Sequence, residues 1–221
     1  NLEPVLSSPA LWMCVACYAC SKRCPRGIEL TEGLWPALRD AAMQAGIQPP
    51  AELQETFQNV LKYGNVLGKS PRQRLDWTKG LDVRVLDLSR EPRPVDVLWL
   101  VGCYPSYYPR NQVVARAFAR ILTELGVSWG ILGARERSPG ECDRMFGEEG
   151  LFETLVEQNR ELFDKQDFGK LVVLDPHAFR ALQSFYPRFG AWYPVQHYTM
   201  FLAEHLEQLR PLIVRPVEAV V

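Results

Sequence analysis

The 221-residue chain sets 25 Lys and Arg against 26 Asp and Glu, a net charge of -1. That balance gives no electrostatic footing for nucleic acid or an anionic membrane surface, and no window approaches the apolar length of a spanning helix. The length allows one sizeable domain and a small one. Of the 6 cysteines, most are packed into one run, the usage of metal ligands in a reducing compartment rather than of secreted disulfides.

A lead-in with Pro4 and Pro9 precedes that run. Cys14, Cys17, Cys20 and Cys24 then follow in a C-x2-C-x2-C-x3-C-P pattern closed by Pro25, the spacing of bacterial iron–sulfur ligands. The short steps let the backbone curl round a cube and aim each thiolate at a different iron. Zinc is the nearest rival, although its sites usually split their ligands into two separated pairs. Disulfides between cysteines this close would be strained. In two-cluster ferredoxins the fourth cysteine of such a run ligates the other cluster. By that rule Cys14, Cys17 and Cys20 hold one [4Fe-4S] cluster and Cys24 serves a second, whose own run would lie upstream. With Asn1 as the first residue, the expectation is a piece of a longer protein; the bland alternative is one cluster with an unusual fourth ligand.

Two helices are predicted next. One runs over 31–45, capped by Thr31 and stopped by Gly46; the other runs over 51–63 with Gly64 after it. Residues 65–94, rich in Gly, Pro and charge, read as a linker whose one distinctive phrase is Arg74-Leu-Asp-Trp-Thr-Lys-Gly80. From Val95 the pattern changes. A buried strand over 97–101 ends at Gly102-Cys103, and a helix follows over 111–125. A second strand is expected over 127–132, a loop over 133–147, a helix over 151–163 and a third strand over 171–174 ending at Asp175-Pro-His177. A short helix then reaches Tyr186, and Val195-Gln-His197 leads into a last helix over 198–209. The alternation implies an α/β unit with a mainly parallel sheet. In such a sheet ligands bind beyond the carboxyl ends of the strands, where Cys103, residues 138–142 and Asp175–His177 should converge.

The cysteine run and the helix after it resemble the second ferredoxin run of the heterodisulfide reductase C-type subunit. Gly102-Cys-Tyr-Pro-Ser-Tyr-Tyr-Pro-Arg-Asn111, Gly130-Ile-Leu-Gly133, Gly147-Glu-Glu-Gly-Leu-Phe152, Asp175-Pro-His177 and His197-Tyr-Thr-Met-Phe-Leu-Ala203 resemble the first cysteine-rich CCG domain of the B-type and D-type subunits. The resemblance covers nearly the whole chain. It implies an α+β protein: a small α-helical ferredoxin-type [4Fe-4S] domain (1–64), a linker (65–94) and a Rossmann-like α/β CCG domain (95–221). An intact CCG domain holds part of a noncubane cluster with a lone Cys, a Cys-Cys-Gly and a Cys-x-x-Cys. Here Cys103 stands at the lone position, but Ser138-Pro139-Gly140 and Asp175-Pro-His-Ala178 replace the other ligands. The domain is therefore expected to be degenerate and to carry no noncubane cluster, since Ser, Pro, Asp and Ala cannot replace thiolates around soft iron. Residues 214–221 would lead into a second CCG domain.

Four weaker candidates lie at the α/β site. Cys103 is a residual ligand or a small buried thiol. His177, beside Asp175, is a proton donor or a helix-capping residue, and His197 lines the same cleft. The implied function is an electron-transfer iron–sulfur subunit, relaying electrons between a flavoprotein (an electron-transfer flavoprotein or FAD oxidoreductase) and a disulfide or quinone site. A second CCG domain and a membrane quinone-reactive subunit are the further partners implied, with no nucleic acid. The location implied is cytoplasmic, or peripheral to the inner membrane face through a partner. No activity is expected of this stretch alone. The alternative is a non-catalytic assembly module with a structural cluster.

Overall fold

The computed structural model describes residues 2–213; the stretch read as leading into a second domain, 214–221, lies outside them. Helix α1 (Glu3–Leu6) and a 3-10 turn (Pro9–Trp12) lead into the cysteine run, which carries the short α2 (Ala19–Arg23). Residues Leu30–Leu34 form a π-helical turn that passes into α3 (Trp35–Gln44). Thr31 is thus not a helix cap. It is buried inside the π turn, where its N–H donates to Ser21 Oγ at 2.9 Å. Helix α4 (Ala51–Tyr63) has its expected bounds and closes on Gly64 at φ 69°, the left-handed stop that glycine provides.

The stretch read as a linker is built into the fold. Its 3-10 helix Pro71–Thr78 turns Arg74 and Trp77 inward, one 3-10 repeat apart, and both are buried. Further on, Leu88 N–H donates to Ile131 O and Ile131 N–H to Leu86 O, so 86–88 lies along the sheet edge. Gly, Pro and charge are spread over the rest of the stretch, and the few apolar anchors do not form a periodic stripe.

Strands β1 (Val95–Leu100), β2 (Trp129–Gly130), β3 (Phe168–Val173) and β4 (Val195–His197) form one sheet in the order β2-β1-β3-β4. Every pair is parallel, with Val97 opposite Trp129 and Leu98 opposite both Gly130 and Leu171. Helices cover both faces, which is why β1 reads as a continuous apolar run rather than an alternation. Leu98, Leu100, Leu171 and Val173 pack with Phe152, Val156 and Phe185 on one face. Val97, Trp99, Val101 and Val172 pack with Trp77, Phe118, Leu122 and Phe201 on the other. After β1 come α5 (Cys103–Tyr107) and α6 (Pro109–Glu124); after β2 come α7 (Glu141–Met145) and α8 (Glu149–Phe163). The expected loop over 133–147 therefore contains a helix. Glu141, Asp143 and Arg144 on this helix are all buried. After β3, α9 (Pro176–Arg180) continues through a π turn and a 3-10 turn to Phe189. The last helix is broken at His205 into α10 (Tyr198–Glu204) and α11 (Leu206–Leu209).

The helical N-terminal part docks directly on this α/β unit. Gly147, at φ 92°, packs against α3 so closely that a Cβ there would lie 2.7 Å from Asp40 N and 2.8 Å from Arg39 Cβ. Backbone sits at that contact and cannot swing aside. Gly147→Ala is accordingly expected to lower stability by about 2 kcal/mol or more. A thermal melt that moves by less than about 2 °C would show that the contact yields freely.

Candidate functional site

The cysteine run is shaped by two left-handed residues that are not glycine, Ala16 at φ 53° and Tyr18 at φ 62°. Left-handed backbone costs a side-chain-bearing residue roughly 1–2 kcal/mol, and such strain gathers at ligand clamps. Here it reverses the curl of the chain on either side of Cys17. Cys17 and Cys20 are exposed, and Cys14 and Cys24 are half-buried. Two donors face the sulfurs: Ile28 N–H donates to Cys24 Sγ at 3.4 Å, and Thr31 Oγ1 lies 3.4 Å from Cys20 Sγ. The contact with Thr31 holds the Cys20 thiol below its ordinary value, which favours the thiolate that iron requires. Among the described residues no three His, Cys, Asp or Glu side chains are gathered as a metal-ion site. The donor set fits an iron–sulfur cluster in kind, with four soft thiolates on a curled segment and hydrogen-bond donors aimed at sulfur.

Arg39 fastens this run to the rest of the molecule. Its side chain is fully buried. Nε donates to Leu11 O at 2.9 Å and Nη2 to Cys14 O at 3.4 Å, while Nη1 donates to Met145 O at the end of α7. The guanidinium also lies 4.6 Å from the Phe146 ring. Glu32 pairs with Arg180 at the end of α9, and Arg180 stacks 5.4 Å from the ring of Tyr18, inside the run.

A second site lies beyond the carboxyl ends of the strands. Between β1 and β3 the strand order reverses, and a parallel sheet opens a crevice at such a point. A cavity of about 410 Å³ fills it, with Cys103, Ser138, Glu141, Cys142, Asp175 and His177 on its walls. The three strand ends thus converge as expected. Cys103 is half-buried there; burial pushes its thiol up, while Arg74, with Nη2 3.9 Å from the sulfur, pulls the other way. Cys142 is exposed as a residue, and the partial enclosure of its sulfur, with the nearby acids Asp143, Asp175 and Glu141, pushes its thiol up. Asp175 is the cap of α9 and accepts from His177 N–H at 2.9 Å, which leaves the His177 ring on the cavity rim. His197 is not on the cavity wall. Its Nε2 donates to Leu174 O at 3.1 Å, so its Nδ1 accepts from Thr199 Oγ1 at 2.8 Å, and the ring braces β3 against α10. Asn111 is on the wall but caps nothing, because Tyr108 occupies the cap position of α6.

The groups that hold this rim in shape were not among the candidates. Arg74 Nη1 donates to Glu136 Oε1 at 2.6 Å, and both side chains are at most 2% exposed. Glu136 also accepts from Val101 N–H at 2.9 Å and Gly102 N–H at 2.8 Å. The pair therefore fixes the turn that presents Cys103. The Arg74–Gly80 phrase was the only signal in the sequence.

Two buried carboxyls on α7 give a pH dependence. Burial pushes Asp143 up to about 7, with Glu148 adding, and pushes Glu141 up to about 7 against the pull of Arg144, with Glu149 and Asp175 adding. A raised carboxyl favours folding fully below its unfolded value, near 4, and that contribution is lost as pH rises through its folded value. The chain is thus expected to be a few kcal/mol more stable at pH 5 than at pH 8, with Asp143→Asn removing about half the difference. Urea midpoints at the two pH values check this; equal midpoints in the parent chain would refute it.

No protein-family model matches the chain, and no solved structure does. Curated proteins do match. A probable iron–sulfur-binding oxidoreductase of Bacillus subtilis, FadF, is 32% identical over 213 residues, covering 94% of this chain and 30% of FadF. An EtfAB:quinone oxidoreductase of Syntrophomonas wolfei is 35% identical over 205 residues, 92% of this chain and 29% of the relative. The D-type subunit of the dihydromethanophenazine:CoB–CoM heterodisulfide reductase of Methanosarcina mazei is 32% identical over 203 residues, 88% of this chain and 47% of the relative. The chain belongs with the heterodisulfide reductase-like iron–sulfur proteins. It spans about a third of the length of the first two relatives. No helix among the described residues is long and apolar enough to cross a membrane.

Proposed function

We propose that the chain is the electron-transfer part of a heterodisulfide reductase-like oxidoreductase. In this reading Cys14, Cys17, Cys20 and Cys24 supply [4Fe-4S] ligands, and Cys24 serves a different cluster from the other three. The observation that carries it is the four-cysteine run itself, bent by Ala16 and Tyr18 and supplied with sulfur-facing donors by Ile28 and Thr31. A bound cluster accepts and passes on single electrons, at a potential set by hydrogen bonds to sulfur and by burial. The chain's own residues supply that setting: Thr31 and Ile28 face sulfur, and Arg39 pins the run.

Residues 1–64 are read as part of a ferredoxin-type domain and 95–221 as a degenerate CCG domain without a noncubane cluster. Cys103, Asp175 and His177 then line a cleft, and His197 braces it from behind. The electron donor is a flavoprotein, as the name of the Syntrophomonas relative suggests, and the acceptor is a disulfide or a quinone reached through a second CCG domain. A cytoplasmic place, or one at the inner membrane face through a quinone-reactive partner, agrees with this assignment.

The test is anaerobic iron, sulfide and zinc analysis followed by redox titration during turnover with the flavoprotein. Stoichiometric iron and sulfide, with a cluster reduced and reoxidised alongside the flavin, is the expected result. Zinc without sulfide, or a cluster silent at the flavin's potential, would overturn the relay.

A further inference from the structure

Behind the cysteine run, two hydroxyls form a relay whose direction is set by its own hydrogen bonds. Thr31 N–H donates to Ser21 Oγ at 2.9 Å, and Ser21 Oγ donates in turn to Thr31 Oγ1 at 3.0 Å. Ser21 thereby commits its single proton to Thr31. Thr31 Oγ1 keeps its own proton, and its other contact is Cys20 Sγ at 3.4 Å. A thiolate that ligates iron carries no hydrogen, so in that contact the hydroxyl is the donor.

The donor is held in place from several sides. Thr31 is 0% exposed, so water does not compete for its hydroxyl. It lies in the π turn Leu30–Leu34, a rare conformation that gathers at functional sites. The next residue, Glu32, pairs with Arg180 of α9, so the turn is also fastened from the α/β side. Cys24 is served differently. Its Sγ accepts from a main-chain donor, Ile28 N–H, at 3.4 Å.

We infer that the Ser21–Thr31 pair sets the reduction potential of the cluster that Cys20 ligates and leaves the cluster of Cys24 alone. This rests on the cluster assignment proposed above. A donor at sulfur favours the more negative, reduced state and so raises the potential. Thr31 supplies the proton of that bond. Ser21 is a positioning residue: by donating to Thr31 Oγ1 it leaves the threonine hydrogen turned to sulfur. Neither hydroxyl gives its proton up; the bond tightens as charge arrives.

Iron and sulfide counts on the full-length, cluster-loaded protein, then redox titration followed by electron paramagnetic resonance, test this. Thr31→Val keeps the side-chain shape and the main-chain N–H but deletes the hydroxyl. It should disfavour reduction of one cluster about three- to tenfold, the reach of one hydrogen bond. At 59 mV per tenfold for one electron, that is a fall of roughly 30–60 mV, with the other cluster unmoved. Thr31→Ser should restore most of the parent value. Ser21→Ala should lower the same potential by less, because the Thr31 hydroxyl remains but is free to turn. An unmoved potential in Thr31→Val with full iron, or Thr31→Ser as low as Thr31→Val, would overturn the inference. So would equal shifts of both clusters, the mark of a merely structural disturbance. If Thr31→Val loses iron, Ser21→Ala decides, and no fall there overturns it. A parent protein without iron and sulfide would overturn the cluster assignment itself, and this inference with it, before any variant is titrated.

Discussion

Glu136→Leu is expected to cost the fold about 3–5 kcal/mol, the range for leaving one member of a buried ion pair without the other. The change strands the Arg74 guanidinium, which is 2% exposed on its side chain and keeps Gly64 O at 3.3 Å, long contacts to Ser106 at 3.5 Å and Cys103 Sγ at 3.9 Å, and the Tyr107 ring, but no other charge. It also removes the acceptor from two N–H groups, Val101 and Gly102. Arg74→Met should cost less, because Glu136 would keep both backbone donors. The double variant should be more stable than the two losses added together, since an apolar pair buries no charge. Urea unfolding of the four proteins measures the coupling. A loss below about 1 kcal/mol in Glu136→Leu would mean that water reaches the pair, and the turn at Cys103 would need another support.

The second large effect is on iron. In the intact protein, Cys17→Ala is expected to remove about four irons and Cys24→Ala about four from another cluster, with the double variant losing about eight. Alanine keeps the backbone near Cys17 and Cys24 while deleting one ligand from each cluster. The alternative arrangement, one cluster with all four cysteines, predicts that either change removes the same four irons and the pair no more. Iron and sulfide counts on the three variants decide between them. Loss of no iron in any variant would remove the run from cluster binding altogether.

Much of this fold could be read from the sequence because burial on two faces leaves a plain trace. Residues 97–101 are apolar without a break, since helices cover both sides of β1. Helix α4 matched its bounds because Phe57 and Val60 mark one face and Gly64 supplies the stop. The meeting of Cys103 with Asp175 and His177 followed from the rule for parallel strand ends alone. The second strand was overestimated, and the reason is local. Ser128 turns its N–H and hydroxyl to Asp96 Oδ2, at 2.8 and 2.6 Å, while Ile131 pairs with the 86–88 segment rather than with β1. That leaves two residues of ladder.

Buried charge was the main thing the sequence did not show. Arg39, Arg74, Glu136 and Glu141 look like ordinary surface residues in the one-letter string. All three of Arg39's hydrogen-bond partners, Leu11 O, Cys14 O and Met145 O, are backbone carbonyls, which any residue could present. Arg74 and Glu136 are 62 positions apart, and a single sequence has no means of pairing them. His197 was assigned to the cleft because it follows a strand, but its ring is turned back to hold Leu174 O.

Arg39 also imposes an order on assembly. Its guanidinium is held from one side by residues only 25 and 28 positions away and from the other by Met145, 106 positions further on. The cysteines are made before α7, and the anchor behind them is finished only once α7 has been made and docked. The run therefore gains its full brace only after the α/β unit has folded against it.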